Sequence, residues 1–193
     1  MNAKSIATVA VFAALTVALN LSPFKIAAPF APFLYYQIWE IPIVAAFLLY
    51  GPLMGITIAV INTLVLLAVF PGALPTGPLY NLAAVLGTLL GIYAAHRMAP
   101  HSYSSRQKET VLVIFSTTLA VLSRVGIMSI VNWAFLRYPY PVGFSLSEEA
   151  LTMMLPVIGL FNATLVLYAI PIGYILVRAI GSGTRTKIWA QQL

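Results

Sequence analysis

From Val111 to Leu136 the chain runs without a charge except for Arg124. That run is long enough to cross a hydrocarbon core of about 30 Å as a helix. A guanidinium at membrane depth costs roughly 3 kcal/mol on insertion scales, so such a residue faces a protein interior or a wet cavity and has a partner. Arg124, Met128 and Asn132 stand at i, i+4 and i+8 and share one helix face. The remainder of the chain must supply what this polar face looks at.

The same apolar character holds throughout. Of 193 residues, 61% are hydrophobic and 7% are charged, with a mean hydropathy of +0.97, which no soluble domain of this size matches. Helices satisfy their own backbone groups in lipid, and the long uninterrupted runs lack the ten-residue alternation of a β-barrel. We therefore expect an all-α integral membrane protein, a single membrane domain over 1–193 with no soluble nucleotide-binding or catalytic domain. The expected spans are 3–20, 37–50, 53–70, 79–95, 110–136 and 150–178, six in all. The first begins almost at once, but no small-residue cleavage site follows it, so it reads as a membrane helix rather than a signal peptide.

Three connectors are rich in proline and aromatic residues, or in proline and glycine: Leu21 to Tyr35, Pro71 to Pro78, and Arg137 to Glu149. The first carries three prolines and is not a regular helix, yet it is apolar; it reads as a surface segment, a lid over a pocket or a plain connector. The sixth span is long and contains Pro156 and Pro171, which predicts a kink or a stretch outside the hydrocarbon. Alanines at 3, 7, 10, 14 and 18 form a small-residue strip on span 1, fit either for intramolecular packing or for docking a second membrane subunit.

Net charge is +6, and in a membrane chain this reads as topogenic charge rather than as a nucleic-acid surface. With six spans both ends lie on one side, together with Lys4, Arg97, Arg106, Lys108, Arg178, Arg185 and Lys187. Lys25 and Arg137 lie on the other. Seven against two predicts a multi-pass cell-membrane protein with cytoplasmic termini and the three connectors outside. No internal repeat is visible, which argues against a two-fold-repeat secondary carrier.

The polar residues within spans are Glu40, Asn62, Asn81, Arg124, Asn132 and Asn162. Amides donate and accept at once and read the edges of heterocycles well, but they are poor acids, bases and nucleophiles. Cysteine is absent, no metal-ligand motif occurs, and His96 and His101 read as surface residues. Ser123 and Ser129 have no span histidine or lysine to activate them, so no enzyme and no catalytic residue is expected. Glu40 reads as sitting near the outer end of its span, where it suits a proton carrier poorly. It is the one acid before residue 109 and hence the candidate partner of Arg124. The pattern favours binding of a small molecule in an aromatic-lined pocket with a few amides. The binding candidates are Glu40, Tyr80, Asn81, Arg124, Asn132 and Asn162.

Four stretches together carry a family resemblance over nearly the whole chain. They are the strip AxxxAxxAxxxA at Ala3, Ala7, Ala10 and Ala14; the run WEIPIVAAFLLYGPLMG; PTGPLYNLAA; and the pair SRVGIMSIVNW and PVIGLFNA. In order and spacing the chain resembles the substrate-binding S components of energy-coupling factor (ECF) vitamin transporters, most nearly the riboflavin-specific group. The resemblance implies high-affinity capture of a vitamin, with Asn132 and Asn162 contacting it. It also implies docking of a transmembrane coupling subunit on the alanine strip and ATP hydrolysis on two separate ATPase subunits. No cofactor is implied beyond the vitamin as cargo. Two positions depart from the riboflavin pattern: Glu40 replaces an aspartate, and Leu165 replaces a lysine three residues after Asn162. The alternatives are another vitamin or precursor on this scaffold, such as thiamine or a flavin analogue, a stand-alone secondary carrier, or a small membrane enzyme.

Overall fold

The computed structural model describes residues 3–69, 72–98, 105–184 and 189; the side chains of residues 4, 105–109 and 182–184 lie outside that description. Six helices form the protein: α1 Ala3–Leu21, α2 Glu40–Tyr50, α3 Pro52–Val69, α4 Gly77–Met98, α5 Ser105–Phe135 and α6 Glu148–Thr184. Each expected span corresponds to one helix. Among the described residues, stretches of α3, α4, α5 and α6 are long and apolar enough to cross a membrane, and α1 and α2 add shorter apolar helices. This is a multi-pass helical membrane protein. His101 and most of the basic tail lie outside the described residues.

The shortest helix is the innermost. All of α2 except Tyr50 is buried, and Ile43, Ala45, Ala46 and Leu48 are fully enclosed. Its sequence is apolar on every face, as a helix surrounded by other helices requires. Around it, α1 packs on α3, α3 on α4, α4 on α5 and α5 on α6, while α6 also packs on α2. The α2–α3 break falls at Gly51, whose φ of 98° suits a residue without Cβ, and Pro52 opens the next helix.

Two glycines set how closely α4 and α5 approach. A Cβ on Gly91 would run into the backbone of Ala120, and one on Gly87 would lie 3.1 Å from Cα of Arg124. The glycine pair on α4 thus brings the α5 backbone, and with it Arg124, close against the bundle. α6 continues as a helix through Pro156 and Pro171. Its 37 residues give about 55 Å of length, well beyond the hydrocarbon core, so part of it extends past the membrane.

The first connector forms an antiparallel hairpin, β1 Ile26–Ala28 and β2 Ala31–Tyr36. Its turn carries Pro29 and Phe30, and its inward side chains rest on α6. Ala28 and Ala31 pack on Phe161 and Leu165, with Leu34, Tyr36, Val157 and Tyr168 around them. The other two connectors are tied to each other. Thr76 donates to the carbonyl of Pro141 at 2.8 Å, and the Tyr80 hydroxyl donates to that of Val142 at 2.8 Å. Beneath them Leu136, Leu151 and Ile158 form a small core between α5 and α6.

On α1, the side chains of Val9, Ala13, Thr16 and Asn20 are buried, and Asn20 donates to Asn62 of α3 at 3.4 Å. Ala3, Ala7, Ala10, Ala14 and Ala18 are all exposed. The alanine strip is therefore not the face by which α1 packs on its own bundle.

Candidate polar centre and the sites around it

Four helices meet at Arg124. Its two terminal nitrogens donate to the two carboxylate oxygens of Glu40, Nη1 to Oε2 and Nη2 to Oε1, the latter at 2.9 Å. Nη1 also reaches Thr88 Oγ1 at 3.1 Å, and Nε donates to Asn162 Oδ1 at 2.8 Å. Arg124 is 3% exposed and Glu40 5%. A planar fork facing a carboxylate is the strong form of ion pair, and the bonds to Thr88 and Asn162 offset its burial by taking two of the three remaining N–H groups. α2, α4, α5 and α6 are pinned together at this point.

Glu40 opens the 11-residue α2, about 16 Å along the helix axis from the Gly51 break. Arg124 lies a similar distance, about 16 Å, before the end of α5. Glu40 thus stands at the end of its helix, as the sequence reading has it, and β2 ends four residues before it. The carboxylate is nevertheless held by the guanidinium, not free in the manner of a proton carrier.

Asn132 and Asn162 each donate Nδ2 to the carbonyl four residues back, to Met128 at 2.6 Å and to Ile158 at 2.9 Å. Their other ends differ. Asn162 Oδ1 takes the Arg124 bond, whereas Asn132 Oδ1 has no partner among the described residues. Tyr80 spends its hydroxyl on the third connector and stacks edge-on with Phe135 at 6.5 Å. Asn81 is exposed on α4. The structure thus gathers Glu40, Arg124 and Asn162 into one cluster, sets Asn132 two turns along α5 on the same face, and leaves Tyr80 at the connectors.

Several residues escaped the sequence reading. Thr88 belongs to the Arg124 cluster, and its signal was only a hydroxyl one residue after Gly87. Tyr36, Gln37, Thr164 and Tyr168 join the foot of the hairpin to α6. The Tyr36 hydroxyl and Thr164 Oγ1 share a hydrogen bond of 2.8 Å, and Tyr168 donates to the Gln37 carbonyl at 2.5 Å. A groove of about 580 Å³ lies beside them. A larger groove of about 720 Å³ runs between α5 and α6 over Gly126 and Gly159, but its lining holds none of Glu40, Arg124, Asn132 or Asn162.

One correction concerns His96. It is buried rather than at the surface, 4% exposed, with Nε2 2.7 Å from the Tyr174 hydroxyl, which also lies 3.0 Å from Ser116 Oγ. Trp189 packs beside it and against Phe47. A histidine is therefore available inside the bundle, contrary to the expectation from sequence. α4 continues past it to Met98, and α6 supplies a tyrosine to satisfy its ring nitrogen. Among the described residues no cluster of three metal-ligating side chains occurs.

No family model matches the sequence, and no curated protein matches it. A solved structure does share the fold. The S component of a bacterial ECF transporter superposes with a TM-score of 0.71, over 93% of this chain and 96% of that one, at 23% sequence identity. The architecture of this protein is thus that of an ECF S component.

Proposed function

We propose that the chain is the substrate-capturing S component of an ECF-type transporter and that it takes up a vitamin, riboflavin in the first place. The observation that carries this reading is the shared fold, which extends over almost the whole of both chains. The termini then lie in the cytoplasm and the three connectors outside, as the distribution of lysine and arginine favours. The vitamin enters from the connector side, under the hairpin and the tied second and third connectors. Asn132, with its unspent carbonyl oxygen, contacts the ring. Asn162 retains one N–H and one lone pair for the same purpose, and Arg124 and Glu40 hold it in place.

ATP hydrolysis belongs to two separate ATPase subunits reached through a transmembrane coupling subunit. The exposed alanine strip of α1 supports docking of that subunit, because small side chains facing the bilayer permit a close helix approach. Leucine at Ala7 and Ala14 should abolish uptake in cells and leave vitamin binding by the purified protein unchanged. Equal loss of both would remove the docking role.

One observation favours a different vitamin on the same scaffold. Leu165 is buried under Ala28 and Ala31 and offers no polar group where the riboflavin group has a lysine. The absorption spectrum of the purified protein, followed by a flavin fluorescence-quenching titration, decides between them. A flavin spectrum with stoichiometric quenching supports riboflavin. A colourless protein that leaves flavin fluorescence untouched moves the substrate to thiamine or another precursor, to be identified by mass spectrometry of released small molecules.

A further inference from the structure

At the end of the bundle that carries the chain's C-terminus, one tail residue packs into the helices. Trp189 stands five positions beyond the end of α6 and is half-buried. It lies edge-on to Phe47 of α2 at 5.4 Å and stacks with Tyr93 of α4 at 6.4 Å, both favoured arrangements of aromatic rings. Its indole also covers the α2–α3 break, where a Cβ on Gly51 would lie 3.1 Å from Trp189 Cδ1. The His96 ring is 6.0 Å away. There three helices each bring one polar group to a common point: His96 from α4, Ser116 from α5 and Tyr174 from α6. His96 is 4% exposed and Ser116 is fully enclosed. Hydrogen bonds of this kind are stronger where water is kept out.

The tail's composition gives Trp189 its character. Residues 185–193 include Arg185, Lys187, Gln191 and Gln192, and Trp189 is the largest apolar side chain the segment can bury. Phe47 and Tyr93, by contrast, pack in the main core, so the cradle is held by helices and not by the tail. A chain end held by one aromatic anchor opens at low free energy, while packed helices stay closed. We propose that the C-terminal segment is a releasable strap. Trp189 seats in the cradle of Phe47, Tyr93 and Gly51 and keeps water from the Ser116–Tyr174–His96 network. Its release admits water to that network while the bundle stays folded. Phe12 of α1 meets Tyr50, the residue before the Gly51 break, edge-on at 6.1 Å. The strap and the helix that bears the alanine strip therefore lean on the same turn. The proposal does not rest on which molecule the protein captures.

The test uses the purified full chain in detergent and carbethoxylation of histidine, read at His96 by peptide mass spectrometry. We expect His96 to react slowly but to completion in the native chain, about tenfold faster in Trp189→Ala, and near the native rate in Trp189→Phe, which refills the cradle. A second probe reports whether the bundle has stayed folded. The chain has no cysteine, and Ala84 is buried on α4 about 18 Å along the helix from His96. The thiol of Ala84→Cys should stay unreactive to a maleimide with or without Trp189→Ala. Equal His96 rates in the native chain and Trp189→Ala would overturn the proposal, because the tryptophan would then shield nothing. A native His96 that never reacts would overturn release. If Trp189→Ala opened the Ala84→Cys thiol together with His96, Trp189 would be a core residue of the whole bundle, and the strap would be overturned as well.

Discussion

The protein holds two polar sites, one where four helices meet and one at the foot of the hairpin, and they differ in completeness. At Arg124 four of the five N–H groups have partners: a carboxylate, a hydroxyl and an amide surround the guanidinium, each from a different helix. At the foot of the hairpin one acceptor, Gln37 Oε1, is left over. A nearly closed network binds helices together and leaves few groups to attract a ligand. An incomplete one leaves an energetic gap that a ligand can fill. By that criterion Arg124 and Glu40 are expected to act as framework, and Asn132, which keeps an unspent end, to contact the ligand.

The sharpest way to break this comparison is to open the closed site. Arg124→Ala or Glu40→Ala should each cost about 3–5 kcal/mol, because each leaves an unpaired buried charge. Arg124→Leu combined with Glu40→Leu should cost less than either single change. Chemical unfolding in detergent measures all of them, and a double variant as damaged as the singles would show that the pair contributes more than its own compensation.

Gly91→Ala tests the packing that delivers Arg124. The added methyl meets the Ala120 backbone, so α4 and α5 must separate, at about 1–3 kcal/mol. An unchanged melting temperature would mean that the two helices slide apart at no cost.

The two asparagines then separate framework from ligand contact. Asn132→Ala should weaken vitamin binding by about 1–3 kcal/mol and leave stability intact. Asn162→Ala should lower both, since it strips Arg124 Nε of its acceptor. Titration and melting of the same preparations read the two effects apart, and identical behaviour of the variants would remove the distinction. The smallest effect belongs to Gln37→Met. Removing an unsatisfied acceptor should leave stability unchanged or raise it, by about 1 kcal/mol at most, as read by chemical unfolding in detergent. A clear loss would mean that the glutamine already has a partner.

Much of this was legible in the order of residues. Long apolar runs marked six helices, four of them long and apolar enough to cross a membrane, since a backbone in lipid has few ways to satisfy itself. One arginine in such a run required a partner, and scarcity named Glu40, because acids in this chain are few. The spacing of the alanines showed a strip but not which way it faced; packing of Val9, Ala13 and Thr16 on the bundle turned it outward. The burial of His96 was hidden because its tyrosine partner is 78 positions away. Periodicity reports what one helix does along its own axis. The hydroxyl of Thr88, the unspent end of Asn132 and the orphaned oxygen of Gln37 depend on which side chains other helices bring to them. Only the tertiary structure decides that, because a polar group becomes framework or binding site according to whether a distant residue satisfies it.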